Sequence, residues 1–164
     1  LIALKCADRK IALEINSNKK DDLVLTNDNN RIEQVLLNLL SNANKFTPDG
    51  GKIILKAYKE IDQVVSISVQ DTGIGIKPED MDNLFGEFSR VVNSETIELN
   101  PQGNGLGLWI SRKMCQAMGG NLTVQSTYGK GSTFIASFRS DYEGFDSHSE
   151  NTSIELDTKT RKQS

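Results

Sequence analysis

One stretch constrains this chain more than any other. Between Asn27 and Thr47, the residues Ile32, Val35, Leu36, Leu39, Leu40 and Ala43 recur at steps of three and four, the spacing of one face of an α-helix. Asn27 or Asp28 is placed to cap its start, and Pro48-Asp49-Gly50-Gly51 ends it as a turn. On either side the period switches to two. Ile11-Ala12-Leu13-Glu14-Ile15 reads as a half-buried strand, and Ile53-Leu55-Ala57 and Val65-Ile67-Val69 read as an antiparallel pair joined near Glu60-Ile61-Asp62. A long amphipathic helix set among half-buried strands needs one layer to cover the other. The predicted class is therefore α+β: a two-layer α/β sandwich with a mixed, mostly antiparallel sheet and helices packed on one face.

The remaining elements fit that frame. Leu1–Arg9 reads as the end of a helix belonging to a preceding segment, and Leu23-Val24-Leu25 as a short strand. Lys77-Pro78-Glu79-Asp80 starts a short helix, with Pro78 suited to its first turn. Residues 91–102 show neither period and form a loop long enough to suggest a functional role. Gly105–Met118 reads as a second amphipathic helix stopped by Gly119-Gly120, and Leu122-Val124 and Phe134–Phe138 as strands around the turn Tyr128-Gly129-Lys130-Gly131.

Residues 10–139 thus form one domain. The formal charge of −3 falls entirely on residues 140–164, which hold six acidic and three basic side chains. Tyr142, Phe145, Ile154 and Leu156 are the only large apolar residues there, too few to offset the entropy of ordering, so a polar acidic linker or disordered tail is expected. The acidic balance argues against nucleic acid as a partner. Apolar runs such as Val35-Leu36-Leu37 are far short of the ~20 residues that span a bilayer, so no direct membrane contact is expected. Cys6 and Cys115 show no metal-ligand spacing, and a reducing, cytoplasmic setting follows.

Four short segments carry chemistry. In Asn38-Leu39-Leu40-Ser41-Asn42-Ala43-Asn44-Lys45-Phe46-Thr47, the residues Asn38, Asn42 and Lys45 stand at i, i+4 and i+7 and line one helical stripe, with Asn44 off it. Two amide oxygens and an ammonium on one face suit a hydrated Mg²⁺ with phosphate oxygens; a solvated polar face is the plainer alternative. Asp71-Thr72-Gly73-Ile74-Gly75-Ile76 follows a strand directly. Its carboxylate could accept from an exocyclic amine, and its glycines let backbone approach a flat ring; a tight turn is the alternative. Leu84-Phe85-Gly86-Glu87-Phe88-Ser89-Arg90 offers Phe85 and Phe88 as core anchors. Gly103-Asn104-Gly105-Leu106-Gly107-Leu108 opens a helix, where backbone N–H groups favour phosphate. It is neither a P-loop nor a Rossmann fingerprint.

Together, in this order and spacing, the segments resemble the ATP-binding catalytic domain of histidine kinases, in the superfamily with the Bergerat-type ATP fold that includes gyrase, Hsp90 and MutL. They match its N box, G1 box, F box and G2 box in turn, and Gly129–Thr133 matches its third glycine turn. The likeness covers residues 1–139. It implies an ATP pocket between the long helices under a lid loop, residues 91–102, with ATP and Mg²⁺ as cofactors. It further implies that Asn42 ligates Mg²⁺ and that Lys45 contacts phosphate, with Asn38 and Lys45 assigned to the transfer step. Asp71 then reads the adenine amino group. Phe46, Gly73, Gly75 and Thr133 line the nucleotide, or in the case of Phe46 serve the core. Arg90, Gly103, Asn104, Gly105, Leu106 and Gly107 serve the phosphates. Asn104 stands where the family usually has Thr, and Asn44 where it is usually apolar.

What such a domain does follows from the same resemblance: it donates the γ-phosphoryl group of ATP to a histidine on a separate, dimerising helical domain, with a receiver domain or response regulator downstream. No such helix pair precedes residue 11, and the only histidine, His148, lies in the tail. The chain alone is therefore expected to be a monomer that does not phosphorylate itself, cut from a parent that is cytoplasmic or membrane-anchored. Two other functions stay open. The ATPase branch of the superfamily places a Glu one turn before the metal-binding Asn. Here that position is Asn38, and an amide cannot take a proton from water at neutral pH. A nucleotide-binding regulatory module without catalysis is kept open by Asn104.

Overall fold

The computed structural model describes residues 1–17, 25–87 and 105–140. Helix α1 (Ile2–Asp8) leads into strand β1 (Ala12–Ser17), followed by the long helix α2 (Asn29–Phe46), β2 (Lys52–Lys59), β3 (Val64–Asp71), a single turn α3 (Pro78–Met81), α4 (Gly107–Ala117), β4 (Asn121–Thr127) and β5 (Gly131–Arg139). The five strands form one sheet in the order β1-β2-β3-β5-β4. Only β1 and β2 run parallel, bridged by α2; every other pair is antiparallel. The sheet is mixed and mostly antiparallel, as its sequence pattern predicts.

Alternation sets the inner face. Register brings Ile53, Leu55 and Ala57 of β2 beside Asp71, Val69 and Ile67 of β3, then Phe134 and Ala136 of β5, then Val124 and Leu122 of β4. Against this face pack Ile32, Val35, Leu39 and Ala43 of α2 and Cys115 of α4, together with Met118 just beyond it. Val35, Leu39, Ile53, Val69, Leu122 and Phe138 lose all contact with solvent, which makes this one core in two layers.

Local chemistry fixes the helix ends. Asp28, rather than Asn27, caps α2: its side chain accepts from the Arg31 N–H at 3.1 Å. Helix α4 is shorter than its sequence pattern, Gly107 to Ala117 instead of Gly105 to Met118, because Gly105 adopts φ +67° and cannot open a right-handed turn. Leu25 is irregular and Thr26 makes only an isolated bridge, its N–H donating to the Ser140 carbonyl at 3.3 Å. The predicted strand is thus not formed at Leu25, while Leu23 and Val24 lie outside the described residues. The predicted loop and the tail beyond Ser140 lie outside them too.

At the C-terminal end of α2, one side chain from α1's flank does much of the holding. The Arg9 guanidinium donates to the Asn44 and Thr47 carbonyls and pairs with Asp49 at 2.8 Å. The Gly50 N–H returns a bond to the Arg9 carbonyl. Asn44, the residue off the polar stripe, is 8% exposed and donates to Cys6 Sγ at 3.4 Å. Its polarity is used between α1 and α2, away from the stripe.

Candidate functional site

Strand β3 ends at Asp71 on the inner face, where the helices cover the sheet. The residue is 6% exposed. Its Oδ1 accepts from the Gly73 N–H at 2.7 Å and from the Ser132 N–H at 3.3 Å, so one oxygen is committed to main chain and the other keeps its acceptor capacity. Burial raises the carboxyl's pKa above the ordinary Asp value, and the two N–H donors oppose that rise.

The glycine loop after Asp71 is tied on both sides. The Ile74 N–H donates to the Phe46 carbonyl at 3.2 Å, and the Ile74 carbonyl receives the Gly129 N–H at 2.7 Å. The Ile76 N–H reaches Ser126 Oγ at 2.9 Å. The glycines are required by close approach. A Cβ on Gly73 would lie 2.5 Å from the Phe46 carbonyl oxygen and 2.6 Å from Asp71 Oδ1. On Gly75, with φ +68°, a Cβ would strike the Thr127 backbone. Lys77 sits 5.3 Å from the Tyr128 ring centroid and adds a tether to the same hairpin turn.

The α2 stripe adjoins this rim at Phe46. Asn38, Asn42 and Lys45 are all half-buried on it. Asn38 Nδ2 donates to Ser111 Oγ of α4 at 2.9 Å, and Gly107 lies so close that a Cβ there would stand 2.5 Å from Asn38 Oδ1. With the described residues, the Asn42 and Lys45 side chains make neither hydrogen bond nor ion pair. Phe46 is half-buried and stands outside the hydrophobic core cluster, so the core alternative for it loses ground. Phe85 does pack against that core, beneath Arg112.

The structure thus sets Asn38, Asn42, Lys45 and Phe46 along the second half of α2, with Gly73 against Phe46 and Asp71, Gly75 against the Thr127 backbone, and Gly107 up against Asn38; Gly105 and Leu106 lead into α4. Thr133 sits one pleat away from Asp71: register pairs it with Gln70 and Gln125, and it lines one polar pocket of about 300 Å³ together with Asp71, Ser126, Lys130 and Ser132. Ser132 takes the inner position beside Asp71, and Ser126 of β4 lies opposite Ser132. The sequence held the signal: extending the inward alternation Phe138, Ala136, Phe134 back by two residues lands on Ser132. Phe88, Arg90, Gly103 and Asn104 lie outside the described residues.

The donor set suits a purine nucleotide: a buried acceptor, a loop that only glycines allow, and a polar helix face. Comparison with known proteins points the same way. Residues 27–141 match the family described as histidine kinase-, DNA gyrase B- and HSP90-like ATPases. Hybrid signal transduction histidine kinase B of Dictyostelium discoideum is 42% identical over 116 residues, 68% of this chain and 6% of that protein. The adaptive-response sensory kinase SasA of Thermosynechococcus vestitus is 45% identical over 107 residues, 65% of this chain and 27% of that one. Full-length ShkA in complex with AMPPNP superposes with a TM-score of 0.71 at 28% identity, over 88% of this chain and 29% of that chain. The chain therefore spans less than a third of the length of each of these relatives. It belongs to the histidine kinase-, DNA gyrase B- and HSP90-like ATPase family, as an ATP-binding catalytic domain of the histidine kinase type.

Proposed function

We propose that this domain binds ATP with Mg²⁺ and donates the γ-phosphoryl group to a histidine on a separate, dimerising helical domain, in a pathway that passes it on to a receiver. The observation that carries the reading is the division of Asp71. One oxygen is locked to the Gly73 and Ser132 amides and the other is left as an acceptor, the group an adenine amino hydrogen needs. Around it, Gly73 and Gly75 let the loop lie against the base, and Phe46 flanks it. Lys45 neutralises phosphate charge, and the Asn42 side-chain oxygen is the group that would hold the metal. Bound Mg²⁺ supplies further charge neutralisation on the phosphates. Arg90, Gly103, Asn104, Gly105, Leu106 and Gly107 are assigned to the phosphate side.

Transfer rather than hydrolysis is favoured by Asn38. Its amide donates to Ser111 and has no basic site with which to activate water. Transfer to histidine draws its nucleophile from the acceptor, so positioning and charge neutralisation suffice here. No described helix is long and apolar enough to cross a membrane, and a cytoplasmic placement is part of the proposal.

Titration with a fluorescent ATP analogue, with and without Mg²⁺, tests the binding reading. Saturable binding that Asp71→Asn weakens by about a hundredfold or more is expected; none at millimolar nucleotide would end the reading. Steady ATP turnover by the domain alone would contradict transfer.

A further inference from the structure

Ser126 stands in the same inner row as Ser132 and Asp71, at the end of β4. Its hydroxyl accepts from the Ile76 N–H at 2.9 Å and lies 3.0 Å from the Gly131 carbonyl and 2.9 Å from Ser132 Oγ. Its one hydrogen goes to the Gly131 carbonyl, its lone pairs take the Ile76 N–H, and the Ser132 hydroxyl can donate to it across the 2.9 Å contact. Ser132 in turn gives its N–H to Asp71 Oδ1, which also takes the Gly73 N–H. Hydrogen bonds and chain therefore close a ring: Ile76 to Ser126, Ser126 to the Gly131-Ser132 segment, Ser132 to Asp71, Asp71 to Gly73, and back along the glycine loop to Ile76. Neither Ile74 tether, to Phe46 or to Gly129, can replace Ser126 in it, because both stop two residues short of Ile76.

We propose that Ser126 is a positioning residue for base recognition: it closes the ring that sets the glycine loop against the Asp71 carboxylate. The inference rests on the reading of Asp71 as the adenine-binding group. Losing the hydroxyl leaves the Ile76 N–H without its partner and loosens the Gly131-Ser132 segment that steadies Asp71. The ligand contact itself is untouched. The damage falls on the base end of the site and so affects every adenine nucleotide alike, whatever its phosphates.

Calorimetric titration of the 164-residue chain with Mg-ATP and with Mg-ADP at 15 °C, beside a thermal melt, tests this. For Ser126→Ala both dissociation constants should rise about tenfold and by the same factor. Amide exchange at Ile76 should quicken in the unliganded protein. If the alanine variant does not fold, Ser126→Cys keeps the volume with a poorer hydrogen-bonding group, and a loss of about threefold is expected. A lower melting temperature with wild-type affinities would mean a merely structural serine and overturn the inference. So would a loss confined to ATP, which would place the effect at the phosphates. Wild-type protein that binds neither nucleotide removes the base-binding reading and this inference with it; wild-type binding with unchanged affinity in the variants removes this inference alone.

Discussion

The rim that carries Asp71 and the helix that carries Asn42 and Lys45 meet at Phe46, yet they are held by different means. At the rim nearly every tether involves main chain: Gly73 and Ser132 amides on one carboxylate oxygen, Ile74 bonded through both its N–H and its carbonyl, Ile76 on a serine. On the helix the backbone is fixed by the fold, but the Asn42 and Lys45 side chains make no hydrogen bond or ion pair with the described residues. On the proposed function the two ends meet different demands: a flat base offers few polar atoms in fixed places, so a rigid frame must precede it. Phosphates and a hydrated cation are strongly charged and vary in placement, and side chains on one helix face can adapt to them.

The comparison breaks most severely at Asp71. Asp71→Asn keeps an oxygen for the Gly73 and Ser132 amides but turns an amide donor towards the adenine amino group, so affinity for ATP should fall by about a hundredfold or more in fluorescence titration. The fold should survive. Because burial holds the carboxyl's pKa above its unfolded value, the native state keeps the proton to higher pH than the unfolded chain does. Asp71's contribution to stability is therefore present at low pH and is lost as pH rises from 3.8 through the raised native value. Urea titrations should show Asp71→Asn at least as stable as wild type at pH 7. Nucleotide affinity should run the other way, weakening as acid protonates the acceptor.

Gly73→Ala tests the rim's packing. The new methyl would press on the Phe46 carbonyl and on Asp71 Oδ1, and a loss of about thirtyfold in ATP affinity is expected. Asn42→Ala sharpens the contrast from the helix side. Binding of Mg-ATP should weaken about tenfold while Mg²⁺-free binding holds, since no other contact of the described residues depends on that amide. Asn38→Ala should have the smallest effect, about 1 kcal/mol of stability in denaturant melts for the lost Ser111 bond, and ATP affinity within about twofold.

Much of this was legible in the chain because it is local. The stripe Asn38-Asn42-Lys45 follows from a helical repeat that its own apolar residues declare. The glycine loop sits where a strand pattern stops, and the antiparallel pair β2–β3 needs only a short turn. What escaped is carried by partners distant in sequence. Asn44 gives no hint that Cys6 lies 38 residues back in contact with it, and Arg9 caps a helix that ends dozens of residues later. For Thr133, expected at the nucleotide from a motif, the pleat of β5 gives the inner place beside Asp71 to its neighbour Ser132, while both line one pocket with Asp71. The start of α4 moved by two residues because the left-handed φ of Gly105 is a tertiary choice no periodicity records.

The place of β5 in the sheet carries a consequence for how such a domain comes into being. It is the last described strand, yet it lies between β3 and β4 rather than at an edge. Until residues 131–139 are made, Asp71 has no Ser132 amide beside it and β3 exposes a bare edge. As a ribosome releases the chain, α2 and the β2–β3 hairpin can form early, since their contacts are short in range, whereas the Asp71 rim must wait for a distant strand to close onto it. On the proposed function, nucleotide capture would then report that synthesis has passed β5, and a nascent or truncated chain that lacks β5 would stay silent to ATP.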